Sequence, residues 1–188
     1  MGTIFPTGSA LSRPFAELAT AMKIAVGCDH RGFAAKRELL PLLKTLGHRV
    51  EDFGCDSAVG VDYPDIAYPL AMAVASQACD LGILINCNGI GMTMVANKIP
   101  GVRAATVCDE MTARCAREHY HCNIIGIGVD LIAGQDVRKI VEVFLSATVA
   151  NGRHARRIEK LRHIEELLAD AHNVIHDLPR TYSYEGHG

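Results

Sequence analysis

No stretch of this 188-residue chain stays apolar for the roughly 20 residues that a membrane-spanning helix needs. Charge of one sign is lacking too. Nineteen Lys and Arg stand against 21 Asp and Glu, a net charge of −2, so there is no reason to expect a nucleic-acid or membrane surface among its partners. The first 21 residues lack the basic start and long apolar core of a secretory signal. They mix Pro6, Gly8, Ser9 and Pro14 with one short helical pattern over 15–21, and read as a loosely attached extension before a fold that begins at Met22. The seven cysteines (28, 55, 79, 87, 108, 115 and 122) are odd in number and contain no Cys-x-x-Cys pair. Several lie in apolar segments, where cysteine behaves as a small hydrophobe, so a reduced, cytoplasmic protein is expected rather than a disulfide framework. His119-Tyr120-His121-Cys122 lacks the paired ligand spacing of a zinc site and reads as a polar helix-to-strand turn, with no metal.

What is present is an alternation of strand and helix patterns, at a length that suits about one domain. Strands are expected over 23–27, 50–53, 81–85, 102–107 and 123–127. Helices are expected over 33–46, from Pro64 to about Ala78, over 92–97, 110–119, 136–150 and 154–172. Gly47 closes the first helix, and Pro41 within it should bend or loosen one turn. Such alternation calls for a parallel sheet with helices on both faces, whose ligands bind beyond the carboxyl ends of the strands. Polar residues gather at those ends: Asp29 and His30, Asn86 to Asn88, and Cys108 and Asp109.

Two segments carry chemistry. In the first, the apolar run Leu81, Ile83, Leu84 and Ile85 meets Asn88-Gly89-Ile90-Gly91 and then a helix. Amides at a helix start have no partners within the helix and sit at its positive end, where they suit a phosphate or an oxyanion. The dinucleotide pattern needs a third glycine, and Met94 is there instead. In the second, Arg153 and Arg157 fall four apart on one face at the opening of the last helix, a spacing with which guanidinium groups can grip a phosphate. That helix also carries an apolar stripe, Ile158, Leu161, Ile164 and Leu168, which needs a surface to pack on.

Taken together, Lys23-Ile-Ala-Val-Gly-Cys-Asp-His-Arg-Gly-Phe33, Val61-Asp-Tyr-Pro64, Gly89-Ile-Gly-Met92, Ala96-Asn-Lys-Ile-Pro-Gly101, Ala116-Arg-Glu-His119 and Asn151-Gly-Arg-His-Ala-Arg-Arg157 resemble type B ribose-5-phosphate isomerase, a family that includes the galactose-6-phosphate isomerase subunits. The resemblance covers about residues 22–165. It implies a flavodoxin-like (Rossmann-like) three-layer α/β sandwich with a five-stranded parallel sheet and an extra C-terminal helix. It also implies a homodimer or dimer of dimers with active sites at the subunit interface. The activity implied is aldose–ketose isomerisation of a sugar phosphate with no metal or organic cofactor. The domain layout expected is an extension over 1–21, the α/β domain over 22–152, a helix over 153–172 packing across the dimer, and a tail over 173–188. Carried over by position, His30, Arg153 and Arg157 would take the phosphate, with an arginine coming from the neighbouring subunit. Asp29 and His119 would move protons during ring opening, and Tyr63 would border the sugar. The amides of Gly89, Ile90 and Gly91 would hold the enediolate oxyanion.

At the base the chain departs from the family pattern, Ile-Cys-Gly-Thr-Gly, in which that cysteine takes the proton. Here the stretch is Ile85-Asn86-Cys87-Asn88-Gly89, and Met92 stands where another branch uses a glutamate. Cys87, one residue along and beside a helix start, is the candidate base, and its alternative is a thiol turned into the core. Asn88 replaces a threonine and is expected to hydrogen-bond a sugar hydroxyl, with Asn86 beside it. Asp130 stands where many members have a phosphate-binding arginine. Two other readings stay open at this point: a non-catalytic or half-site subunit that pairs with a second homologous subunit, and a sugar-phosphate sensor.

Overall fold

The computed structural model describes residues 21–132 and 136–176, with side chains as far as residue 169. Most of the expected N-terminal extension and of the tail therefore lies outside the described residues. Along the chain run β1 (Lys23–Cys28), α1 (Phe33–Thr45), β2 (Arg49–Asp52), α2 (Tyr63–Ala75), β3 (Leu81–Asn86), α3 (Ile90–Ala96), β4 (Ala104–Val107), α4 (Glu110–Glu118), β5 (Ile124–Gly128), α5 (Val137–Ser146) and α6 (Arg153–His176). Strands β3 and β5 are buried at every position, as central strands of a parallel sheet covered on both faces must be.

The five strands pair in parallel in the order β2-β1-β3-β5-β4. The first three follow flavodoxin order, and the last two exchange places. Leu39 and Leu43 of α1, Ala113 and Ala116 of α4, and Ile140, Val141 and Phe144 of α5 close one face over Ile24, Val26, Ile83, Ile85, Ile125 and Ile127. On the other face Leu70 and Val74 of α2 and Met92 and Ala96 of α3 pack on Ala25, Leu84 and Ile124. This is the expected three-layer sandwich. Among the described residues no helix is long and apolar enough to cross a membrane.

Several boundaries differ from the sequence expectation. Helix α1 continues unbroken through Pro41, which is exposed, because Leu39 and Leu43 anchor the opposite face on both sides of it. Helix α2 stops at Ala75, and Gln77 turns the chain with a φ of 61°. Strand β4 starts only at Ala104, because the Val102 amide still donates into a turn to Ile99 O at 3.1 Å. Helix α5 ends at Ser146, after its last buried residue, Phe144; the chain then straightens so that the Ala150 amide donates to Glu118 O at 2.9 Å. Helix α6 runs past 172 to His176, and leaves Leu161, Ile164, Leu167 and Leu168 about half exposed.

The β3–α3 turn depends on Gly89, whose φ is 74°. A Cβ there would stand 2.9 Å from Thr106 Cγ2 and 3.1 Å from Gly126 O. Gly89→Ala should therefore cost about 1–3 kcal/mol in a urea titration. A loss below about 0.5 kcal/mol would show that the turn relaxes freely and is not held by its neighbours.

Candidate active site

The chain passes from β1 outward to β2 and returns to β3 on the other side, so the strand order reverses between β1 and β3. Cys28 lies level with Ile85, and Asn86 with Gly128, so the carboxyl ends of β1, β3 and β5 open on one crevice. At its edge Asp29 is 5% exposed. Its Oδ1 accepts from the amides of Arg31 at 2.8 Å and Gly32 at 3.2 Å, and Oδ2 has no partner among the described residues. His30 is half-buried, and its Nδ1 accepts from the Val61 amide at 3.5 Å. The Tyr63 ring covers the start of α3: a Cβ at Gly91 would stand 2.9 Å from Tyr63 Cζ.

The turn itself corrects the expected anion hole. Asn86 is 3% exposed, and its Oδ1 accepts the Gly89 amide at 2.5 Å. Asn88 Oδ1 accepts the Ile90 amide at 2.9 Å. Of the three amides expected to hold an oxyanion, Gly89 and Ile90 are thus taken by the two asparagines, and Gly91 alone lacks an acceptor among the described residues. Asn88 keeps its amide nitrogen as a donor. Thr106 Oγ1 adds a brace by donating to Gly89 O at 3.3 Å.

Cys87 lies in the turn beyond the end of β3, half-buried and outside both core clusters. The Asp130 amide donates to Cys87 O at 3.0 Å, which places the Cys87 backbone beside the Arg31–Asp130 ion pair. Three of the other thiols are poorer candidates for a base. Burial pushes Cys28 up to about 12, and Cys79 and Cys122 up to about 11. Asp109, expected among the strand-end polar residues, is engaged as the cap of α4, where its Oδ1 accepts the Thr112 amide at 2.7 Å.

His119, Arg153 and Arg157 form a second group. With Tyr120, His154, Ile158 and Leu161 they line a cleft of about 340 Å³ between the end of α4 and the start of α6. The His119 and His154 rings stack at 4.3 Å and 14°, and Arg153 Nε donates to His154 Nε2 at 3.2 Å. That bond needs an unprotonated Nε2. Desolvation, then the charges of His119, Arg153 and Arg157, hold His154 below the usual histidine range and so favour its neutral form.

The two groups do not meet within one chain. A helix that follows a parallel strand runs back toward the start of the sheet, so His119, at the end of α4, lies at the amino edge. Arg103, just before β4, confirms the position, with Nε 3.1 Å and Nη2 3.0 Å from His121 O. Strand β3 has six residues at about 3.3 Å each, which separates the groups by on the order of 15–20 Å. Sequence reasoning missed His154, although it sits between the two arginines. It also missed Arg31, whose Nη2 donates to both oxygens of Asp130 at 3.0 and 2.8 Å. Its place directly after Asp29 and His30 was the available signal.

Comparison with known proteins matches residues 24–161 to the family model described as Ribose/Galactose Isomerase. Ribose-5-phosphate isomerase B of Escherichia coli is 38% identical over 144 residues, which cover 77% of this chain and 97% of that protein. Among solved structures, ribose-5-phosphate isomerase B of Clostridium thermocellum is 41% identical with a TM-score of 0.75, and covers 78% of this chain and 99% of its own. The Mycoplasma genitalium enzyme, solved with bound ribulose-5-phosphate, is 38% identical with a TM-score of 0.73, over 77% of this chain and 96% of its own. The chain belongs to the ribose/galactose isomerase family.

Proposed function

We propose that the protein interconverts the aldose and ketose forms of a phosphorylated sugar, in the first instance ribose 5-phosphate and ribulose 5-phosphate, in a site shared by two copies of the chain. The observation that carries this reading is the gathering of Asp29, His30, Tyr63 and Cys87 around the β3–α3 turn, in a chain whose relatives are named ribose-5-phosphate isomerase B. Those relatives disfavour the half-site and sensor readings.

In this mechanism His30 of one copy and Arg153 and Arg157 of the other hold the phosphate. Asp29, through Oδ2, and His119 of the other copy pass the ring-opening proton between the ring oxygen and the anomeric hydroxyl. The Cys87 thiolate then removes the C2 proton of the open-chain aldose. The C–H electron pair forms the enediolate, and charge develops on the carbonyl oxygen. The Gly91 amide and the Asn88 amide nitrogen face that oxygen, where fixed donors act most strongly on developing charge. Transfer of the C2 hydroxyl proton to O1 and return of the abstracted proton to C1 then give the ketose. Asn86 shapes the turn through Gly89 and does not act on the proton.

Two measurements test the reading. Purified protein alone should convert ribose 5-phosphate to ribulose 5-phosphate, and no turnover of any tetrose, pentose or hexose phosphate would remove it. Light scattering at micromolar concentration should give a dimer or a dimer of dimers, because the half-exposed stripe of α6 needs a partner surface and His119 needs to reach the turn of a second copy. A monomer mass would rule out the shared site.

A further inference from the structure

We propose that Arg31, oriented by Asp130, is a further phosphate ligand of the site, supplied by the same subunit as the β3–α3 turn; the proposal rests on the sugar-phosphate reading above. Arg31 follows Asp29 and His30, and its own amide is fixed on Asp29 Oδ1 at 2.8 Å. Asp130 follows β5, and its amide donates to Cys87 O at 3.0 Å. The ion pair between them therefore bridges the loops after β1 and β5, beside Cys87 at the end of the strand that runs between them.

Only Nη2 of Arg31 is engaged by Asp130, so Nε and Nη1 remain as donors without a partner among the described residues. Two other cations that follow these strands are committed. Lys36 Nζ donates to both oxygens of Asp52 at 2.8 and 2.9 Å, and Arg138 donates to Asp136 through Nε and Nη2. The Arg31 and Asp130 side chains are 56% and 45% exposed, and an ion pair so placed adds little to stability. Its consequence is electrostatic. Alone, Asp130 would repel a phosphate at the mouth of the crevice. Paired, it neutralises one side of a guanidinium and aims the remaining planar donors outward, in the geometry that suits a phosphate.

The test titrates inorganic phosphate into the full-length protein by calorimetry, beside steady-state kinetics with ribose 5-phosphate. Arg31→Gln should weaken phosphate about tenfold or more and raise KM in parallel, with kcat changed far less. Arg31→Lys should fall between that variant and wild type. Arg31→Asp combined with Asp130→Arg returns a cation to the same rim and should recover most of the affinity that Arg31→Asp alone loses. A purely structural pair would lower the melting temperature and leave phosphate affinity within about twofold, which would overturn the proposal. Failure of the double variant to recover any affinity would overturn the role of Asp130. If wild type binds phosphate through Arg31 but turns over no sugar phosphate, the isomerase reading falls and the phosphate site stands. If wild type binds no phosphate, the site falls too.

Discussion

Cys87→Ser should abolish proton transfer while leaving the sugar phosphate bound. The expected loss in kcat is about 10²–10⁴-fold, the usual contribution of a positioned base. Serine keeps nearly the same shape but does not ionise in this range, so KM and the affinity for inorganic phosphate should stay near wild type. The side chain is half-buried and belongs to neither core cluster, so the change should leave the melting temperature almost unmoved. Deuterium uptake at the carbon beside the substrate carbonyl separates this step from ring opening, and it should vanish with turnover. Exchange and turnover surviving near wild-type rates would transfer the role to a carboxylate or histidine of the facing subunit. Two features make Cys87 the better assignment. Asn86, just before it, cannot accept a proton at neutral pH and has its Oδ1 on the Gly89 amide. Met92, in the first turn of α3, has no ionisable group and is fully buried.

Side chains alternate along a strand, so a thiol displaced by one residue within it would face the other way. That rule ends with the strand. Strand β3 stops at Asn86, so Cys87 already belongs to the turn and obeys the turn's geometry. The apolar run 81–85 and Gly89 after it were legible because burial and positive φ demand particular residue types. Which atoms remain available was not legible. Asn86 and Asn88 offer oxygens that a sequence can assign to substrate, and the fold uses both on the turn's own amides. Asp109 was absorbed by a helix cap in the same way. The meaning of Arg31 lies in a partner 99 positions away, beyond any local pattern. By contrast, the separation of His119 from Asp29 follows from topology alone, since each helix of a parallel α/β sheet carries the chain back to the amino edge.

That separation sets the largest effect on binding. Changing Arg153 and Arg157 together to alanine should weaken the sugar phosphate by about 2–5 kcal/mol, because charge-assisted bonds to a bound phosphate are lost at once. A non-phosphorylated sugar should bind equally to wild type and variant, and unchanged affinity for the phosphorylated one would remove the assignment. The same variant decides where the arginines act. Each site of a two-fold dimer would take its turn from one copy and its arginines from the other. A heterodimer of Cys87→Ser with Arg153→Ala/Arg157→Ala then has one site that carries both lesions and one that carries neither. Subunit exchange between equal amounts of the two inactive proteins should restore activity to about one quarter of wild type, since half the dimers are mixed and each has one intact site. If both halves of the site acted within one chain, every site in the mixture would keep a lesion and the activity would stay at its unmixed level. The distance of on the order of 15–20 Å along β3 between the turn and His119 is the reason to expect recovery.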